Sequence, residues 1–144
     1  AQWVGRRALA CTLEEVDGLR DASALGNRLL AHFGGAAEIV SFAGTAKPVD
    51  FGKLAPTVTQ CATAADPLAQ EILHDAGQNI AATLHRIGWH ADLPLCLTGG
   101  IAPEFRPWLP AALQAACVAP VGTPLDGAIA LAHEFAMEDP HDHH

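Results

Sequence analysis

The chain has 144 residues and a mass of 15.0 kDa; half of its residues are hydrophobic and only 17% are charged. This composition excludes intrinsic disorder, which requires few apolar residues and a high charge. The formal net charge of −8 predicts that nucleic acid is not a partner, because an acidic surface repels phosphate backbones. No apolar run reaches the ~18 residues that cross a bilayer, so we expect a soluble, cytoplasmic protein without membrane contact.

The chain enters a helical pattern directly after Ala1, and its only methionine is Met137. No charged segment followed by an apolar stretch marks a signal peptide. We therefore expect a fragment of a longer protein, with one domain portion over residues 1–137. The polar tail over residues 138–144 is expected to be flexible, and its histidines are either a loose metal site or a frayed end.

Four cysteines occur, and none lies in a CxxC pair. Each sits in an apolar stretch, where cysteine behaves as a small hydrophobic residue. We expect free thiols in a reducing compartment and no structural zinc, because zinc sites need closely spaced Cys and His ligands. The cysteines are Cys11, Cys61, Cys96 and Cys117.

Apolar spacing in the first two thirds of the chain predicts helices over residues 3–16, 22–33 and 36–42. Asp50 is predicted to cap a helix that runs to about residue 64, with a kink or restart at Pro56. The Asp66-Pro67 pair predicts the start of a long helix, since it places a capping oxygen before a proline at the first helical position. Gly88 is predicted to end that helix, whose apolar face includes Ile80.

The pattern changes after residue 92. Residues 93–97 predict a short buried strand, 104–116 a helix with an irregular start, 117–119 a second short strand, and 124–137 a last helix. The predicted fold class is therefore helix-rich α/β, with helices followed by strand, helix, strand and helix. A parallel strand pair joined by a helix normally belongs to a larger sheet, so we expect further strands outside this sequence.

The main candidate site is Thr98-Gly99-Gly100-Ile101, which follows the first predicted strand. Ligands of α/β proteins bind at the carboxyl ends of strands, and glycines let the backbone approach a ligand closely. A helix start just beyond offers further N–H groups. A simple tight turn is the alternative, and the segment is neither a P-loop nor a GxGxxG motif.

Two further features have a functional and a structural interpretation. Asp126, followed by Gly127, either faces a ligand or caps the last helix. Arg6 and Arg7 either clamp an anion or form a solvated helix face. No nucleophile–base set and no carboxylate pair is discernible, so no catalytic residue is predicted in this chain.

Four stretches, in order, resemble the BadF/BadG/BcrA/BcrD ATPase family, which includes glucosamine kinases and N-acetylglucosamine kinases. The first looks like the family's helix after a Gly-Ser-Gly turn, and the second like its LAP…GDP-x-A segment. The third stands where the family has its adenosine motif, and the fourth looks like the start of its closing helix. In this sequence they are residues 3–9 (WVGRRAL), Leu54-Ala55-Pro56 with 64–69 (AADPLA), 97–100 (LTGG) and 124–128 (PLDGA).

The resemblance implies the C-terminal portion of an actin-like ATPase, with a ribonuclease-H-like second domain. It implies that ATP and Mg²⁺ are the cofactors and that an amino sugar, glucosamine or N-acetylglucosamine, is the acceptor in the intact protein. Thr98, Gly99, Gly100 and Ile101 would then follow the purine and ribose, and Asp126 and Gly127 would border the same pocket. The family's phosphate-binding turns and catalytic aspartate lie upstream, so this chain alone is expected to be inactive.

Two alternatives remain open at this stage. One is an ATPase activator subunit of the same family, which holds an iron–sulfur cluster at a dimer interface through closely placed thiolates. The other is a non-catalytic helical interaction module, which does not account for the strand before Gly99. A homodimer is an open alternative for the assembly.

Overall fold

The computed structural model of the protein describes residues 1–138. Helices dominate, and the last third has the strand–helix–strand–helix order predicted from the sequence. The last residues of the predicted tail, 139–144, lie outside the described residues. The elements are α1 (Gln2–Val16), α2 (Ala24–Phe33), α3 (Ala36–Thr45), α4 (Pro48–Gly52), α5 (Ala55–Thr63), α6 (Pro67–Arg86), β1 (Leu95–Cys96), α7 (Ala102–Phe105), a 3-10 turn (Arg106–Trp108), α8 (Ala111–Ala116), β2 (Cys117–Val118) and α9 (Pro124–Glu138).

Capping side chains set the helix starts that the sequence marked most clearly. The Asp66 carboxylate accepts a hydrogen bond from the Ala69 N–H at 2.8 Å and begins α6. Its second oxygen accepts from the Leu25 N–H at 3.1 Å, so the same buried side chain also joins α6 to α2. At the other end of α2, Gly34 takes a left-handed φ of 95°, which glycine adopts without steric cost.

The prediction that Asp50 begins a helix is wrong. Lys47 is the N-cap residue and Asp50 lies inside α4, where its carboxylate accepts from the Lys47 N–H at 3.0 Å. The helix begins earlier because Pro48 occupies its first turn, a position that suits proline's fixed φ. The predicted restart at Pro56 is confirmed, since α5 begins at Ala55.

The core lies among α1, α2, α5 and α6, whose apolar faces pack together. Two helix glycines permit close packing, because a methyl group on Gly5 would overlap the Phe51 carbonyl and one on Gly77 the Trp108 carbonyl. The largest fully buried side chains are Leu25, Leu29, Ile39, Ile72, Leu73, Leu113, Val58, Thr12 and Cys11.

The two strands pair in parallel, with Leu95 opposite Cys117 and Cys96 opposite Val118. The predicted burial of the first strand is wrong, because Cys96 is exposed and Leu95 is only half-buried. Within residues 1–138 the sheet has only these two strands, so one edge of each lacks a partner strand. No helix in the described part of the chain is long and apolar enough to span a membrane.

Candidate functional site

A groove of about 540 Å³ lies between the first turn of α1, the middle of α6 and the turn that follows β1. Its size falls within the ~300–1,000 Å³ of small-molecule pockets. It brings residues 1–4 together with residues 97–105, which are distant in sequence. The groove is lined by Ala1, Trp3, Val4, Ala76, Asn79, Ile80, Thr83, Leu84, Leu97, Thr98, Gly99, Gly100, Ile101, Ala102 and Phe105.

The walls of the groove are mostly apolar, and its side chains are uncharged. Buried Val4, Ala76 and Phe105 contribute to the lining, and two large side chains there keep substantial exposure: Trp3 at 43% and Ile80 at 36%. Among the described lining residues, none has an ionisable side chain. Such a surface suits a flat, uncharged group and gives no direct counter-charge to phosphate.

The turn predicted from the sequence, Thr98 to Ile101, does line this groove. Gly99 has a φ of +108°, a conformation that side chains other than glycine's rarely adopt. Gly100 needs no such φ, and a Cβ built on it would meet no atom within 4 Å. Its missing side chain therefore leaves main chain open to the groove without serving internal packing.

The single helix predicted over residues 104–116 is divided into α7, the 3-10 turn and α8. α7 covers only four residues, and the N–H groups of Ala102 and Phe105 already donate to Gly99 and Ile101 at 3.2 and 2.9 Å. We therefore assign no anion site to the start of α7.

The structure does not place Asp126 or Gly127 in the groove. The Asp126 carboxylate accepts from the Thr123 N–H at 2.7 Å and from the Thr123 hydroxyl at 2.8 Å, while the Asp126 N–H donates back to that hydroxyl at 3.2 Å. These two hydrogen bonds to the carboxylate lower the pKa of Asp126. The geometry is that of a capping box, in which Thr123 precedes α9 and Asp126 lies in its first turn, so Asp126 helps to begin the helix without being the cap residue itself.

The two arginines of α1 are also occupied elsewhere. The Arg6 guanidinium lies over the Phe51 ring, 4.2 Å from its centroid. Arg7 pairs with Glu14 at 3.4 Å. Neither lines the groove. Arg6 is exposed, as expected of a solvated helix face, whereas Arg7 is half-buried.

Sequence reasoning missed the contribution of α6 to the groove. Ile80 was predicted as part of the helix's core face, yet it is partly exposed because it faces the groove. Ala76 and Ile80 are four residues apart, as are Asn79 and Thr83, so these two neighbouring rows form one side of the helix. That spacing could have indicated that these residues lie together on α6. It does not indicate which part of the apolar face is left uncovered by other elements and so lines a groove.

The cysteines divide into two groups. Cys11 and Cys61 are buried, and burial raises the pKa of the Cys11 thiol, whereas Cys96 is exposed and Cys117 is half-buried. All four are free thiols, and within residues 1–138 no group of three or more His, Cys, Asp and Glu side chains is arranged to hold a metal ion.

The fold and the groove define a helix-rich α/β protein with a ligand-sized cleft beside a glycine turn. A crystal structure from Chromobacterium violaceum, named as that of a "putative N-acetylglucosamine kinase", is similar to it over 90% of this chain, with 34% sequence identity and a TM-score of 0.80. The chain spans only 46% of the length of that protein. It matches no protein-family model and no curated protein sequence. The similarity supports a relationship to sugar kinases.

Proposed function

We propose that this chain is the nucleotide-binding portion of an ATP-dependent amino-sugar kinase, and that its groove holds the adenosine of ATP. The observation that carries the proposal is Gly100. It lines a ligand-sized groove, yet neither packing nor a positive φ explains why it is glycine. A ligand lying against the main chain accounts for the missing side chain.

The chemistry of the lining suits adenosine. The base is flat and uncharged, and the groove offers apolar walls together with the polar groups of Asn79, Thr83 and Thr98. The Thr83 hydroxyl already donates to the Asn79 carbonyl at 2.9 Å, so it is less available to a ligand. Few polar groups on mostly apolar walls are typical of sites that orient a small molecule.

The groove does not suit the triphosphate or Mg²⁺. Mg²⁺ prefers carboxylate and phosphate oxygens, and no carboxylate lines the groove in the described residues. In the proposal, phosphate, Mg²⁺ and the catalytic base are held by parts of the longer protein that this chain does not include, and the chain alone transfers no phosphoryl group. The BadF-type family, the actin-like ATPase fold and the cytoplasmic location belong to the proposal as well.

The sugar-kinase branch is preferred to the activator branch for a structural reason. An iron–sulfur cluster needs thiolates that converge on one point. Cys11 and Cys61 are buried in the helical core. Cys96 lies opposite Val118 and Cys117 opposite Leu95, so the two strand cysteines project from opposite faces of the sheet and do not converge. We retain the acceptor as an amino sugar, glucosamine or N-acetylglucosamine, on the basis of the resemblance and of the name of the related structure.

Calorimetric titration of adenosine into the wild-type chain and into Gly100→Val tests the groove. We expect the valine side chain to occupy the space of the ligand and to weaken binding by about tenfold or more. Gly127→Val is the matched control, because Gly127 also has no atom near a built Cβ but lies outside the groove. Equal affinities of wild type and Gly100→Val, or no binding of adenosine to the wild type, would contradict the proposal.

A further inference from the structure

We propose that Asn79 reads the edge of the base in this groove, by accepting a hydrogen bond from the exocyclic amine of adenine and donating one to the adjacent ring nitrogen. This inference rests on the proposed function and deepens it, because it names the residue that selects the base. It would make Asn79 a specificity-determining residue.

The position of Asn79 supports this role. It lies on α6, is exposed, and lines the groove together with its neighbour Ile80. Within residues 1–138 its carboxamide makes no hydrogen bond, although its main-chain carbonyl accepts one from Thr83. The carboxamide is therefore a donor and an acceptor with no partner in this part of the chain, placed at the wall of a largely apolar groove.

The chemistry of the carboxamide matches adenine. Its oxygen accepts and its NH₂ donates, in a fixed side-by-side arrangement. Adenine presents the complementary pair, a 6-amino donor beside a ring-nitrogen acceptor, and bidentate pairing of Asn or Gln with adenine is a recurrent mode of base recognition.

The other polar side chains of the groove are less selective. A threonine hydroxyl rotates and is both donor and acceptor, so it adapts to either kind of partner. In addition, the Thr83 hydroxyl already donates a hydrogen bond to the Asn79 carbonyl of the same helix. Discrimination between bases therefore falls to Asn79.

The walls around Asn79 suit the rest of the base. Trp3 and Ile80 line the same groove and keep exposed apolar surface. Stacking of a base on an aromatic ring is favourable for any base and carries no sequence information. In this arrangement Trp3, Ile80 and the Gly100 main chain contact the flat face of the base. Asn79 forms the hydrogen bonds to its edge that distinguish adenine from other bases.

The test compares adenosine with purine riboside, which lacks only the exocyclic amine, by calorimetry on the wild-type chain and on Asn79→Ala. We expect the wild type to bind adenosine about tenfold more tightly than purine riboside. In Asn79→Ala the ratio is expected to fall to about one, because the group that pairs with the amine is gone. Gln78→Ala, an exposed amide on the same helix that does not line the groove, should keep the wild-type ratio.

The outcomes separate the two proposals. If the wild type binds adenosine and Gly100→Val weakens that binding as expected, but Asn79→Ala keeps the wild-type ratio of adenosine to purine riboside affinity, then Asn79 does not select the base and the proposed site stands. If the wild type binds no adenosine, both fail. A ratio of about one in the wild type also overturns the role of Asn79. Unchanged thermal unfolding of Asn79→Ala, expected for an exposed residue, shows that a change in ratio is not a loss of fold.

Discussion

The helices before residue 90 and the segment after residue 94 are built differently. In the first region, buried side chains such as Leu25 and Leu73 from several helices share one core. In the second, the strands have two residues each, and every described side chain of α9 up to residue 136 is exposed, with Leu125 at 68% and Phe135 at 69%. The core is centred on the first region and takes in Phe105, Leu109 and Leu113 of the second, whereas α9 buries none of its side chains up to residue 136.

Individual glycines of the two regions differ in what surrounds them. Gly5 and Gly77, in the helical region, lie against the carbonyl groups of neighbouring elements and permit close packing. Gly100 and Gly127, in the second region, have open space where a side chain would be. The groove lies where the two regions meet, so a rigid helical wall faces an open main-chain turn. Sites of this kind combine a fixed scaffold with backbone that a ligand can approach.

The largest expected effect is the loss of stability when a buried leucine of the helical region is truncated, compared with an exposed leucine of α9. Leu73→Ala should destabilise the fold by about 2–5 kcal/mol, since it leaves a cavity among fully packed side chains. The matched change Leu125→Ala removes a side chain that is already mostly exposed and should cost less than about 0.5 kcal/mol. Urea unfolding followed by circular dichroism measures both. Similar losses from the two variants would mean that α9 is part of the same core.

The second prediction contrasts two glycines under one substitution. Gly77→Val should lower stability by about 1–3 kcal/mol, because the new side chain overlaps the Trp108 carbonyl and forces α6 away from the 3-10 turn. Gly100→Val should leave the unfolding midpoint close to that of the wild type, because its side chain enters open space. A loss of stability in Gly100→Val equal to that in Gly77→Val would remove the distinction between packing glycines and groove glycines.

The smallest expected effect is electrostatic. Arg20 donates to both Glu14 of α1 and Glu71 of α6, and its hydrogen bond lowers the pKa of Glu14. A carboxyl whose pKa is lower in the folded state stabilises the fold above its unfolded pKa of about 4.3, and this contribution is lost as the pH falls through the lowered value.

Glu14→Gln should therefore reduce stability slightly at neutral pH and flatten its decline between about pH 5 and about pH 2. Glu104→Gln, an exposed carboxyl on α7, serves as the control. Urea midpoints measured across that range decide the question. An acid limb as steep in Glu14→Gln as in the wild type would show that this ion pair does not contribute.

The local features of this fold could be predicted from sequence, because their causes are local. The capping oxygen and proline of Asp66-Pro67 begin α6, and the apolar period of α6 is set by the helix itself. Asp50 was misplaced because the helix begins earlier, with Lys47 as the N-cap residue and Pro48 in the first turn. The exposure of Cys96 could not be predicted, since an apolar run does not indicate how many strands and layers cover it.

The site was only partly predictable for the same reason. Thr98 to Ile101 form a continuous segment with a recognisable strand–glycine pattern, and they do line the groove. Asn79 and Trp3 join them only through tertiary packing, which a single sequence does not reveal. The sequence allowed Asp126 either to face a ligand or to help begin the last helix. Only the structure shows that its carboxylate accepts hydrogen bonds from Thr123, which favours the second role.

The central claim is that ligand binds against the open main chain at Gly100, in the groove between α1, α6 and the turn after β1. Amide chemical-shift mapping by NMR during an adenosine titration tests it most directly. The predicted result is saturable shifts at Gly99, Gly100 and Ile101 and at the side-chain amide of Asn79, with none at Asp126 or Gly127. Shifts confined to α9, or no shifts in the turn at saturating adenosine, would contradict it.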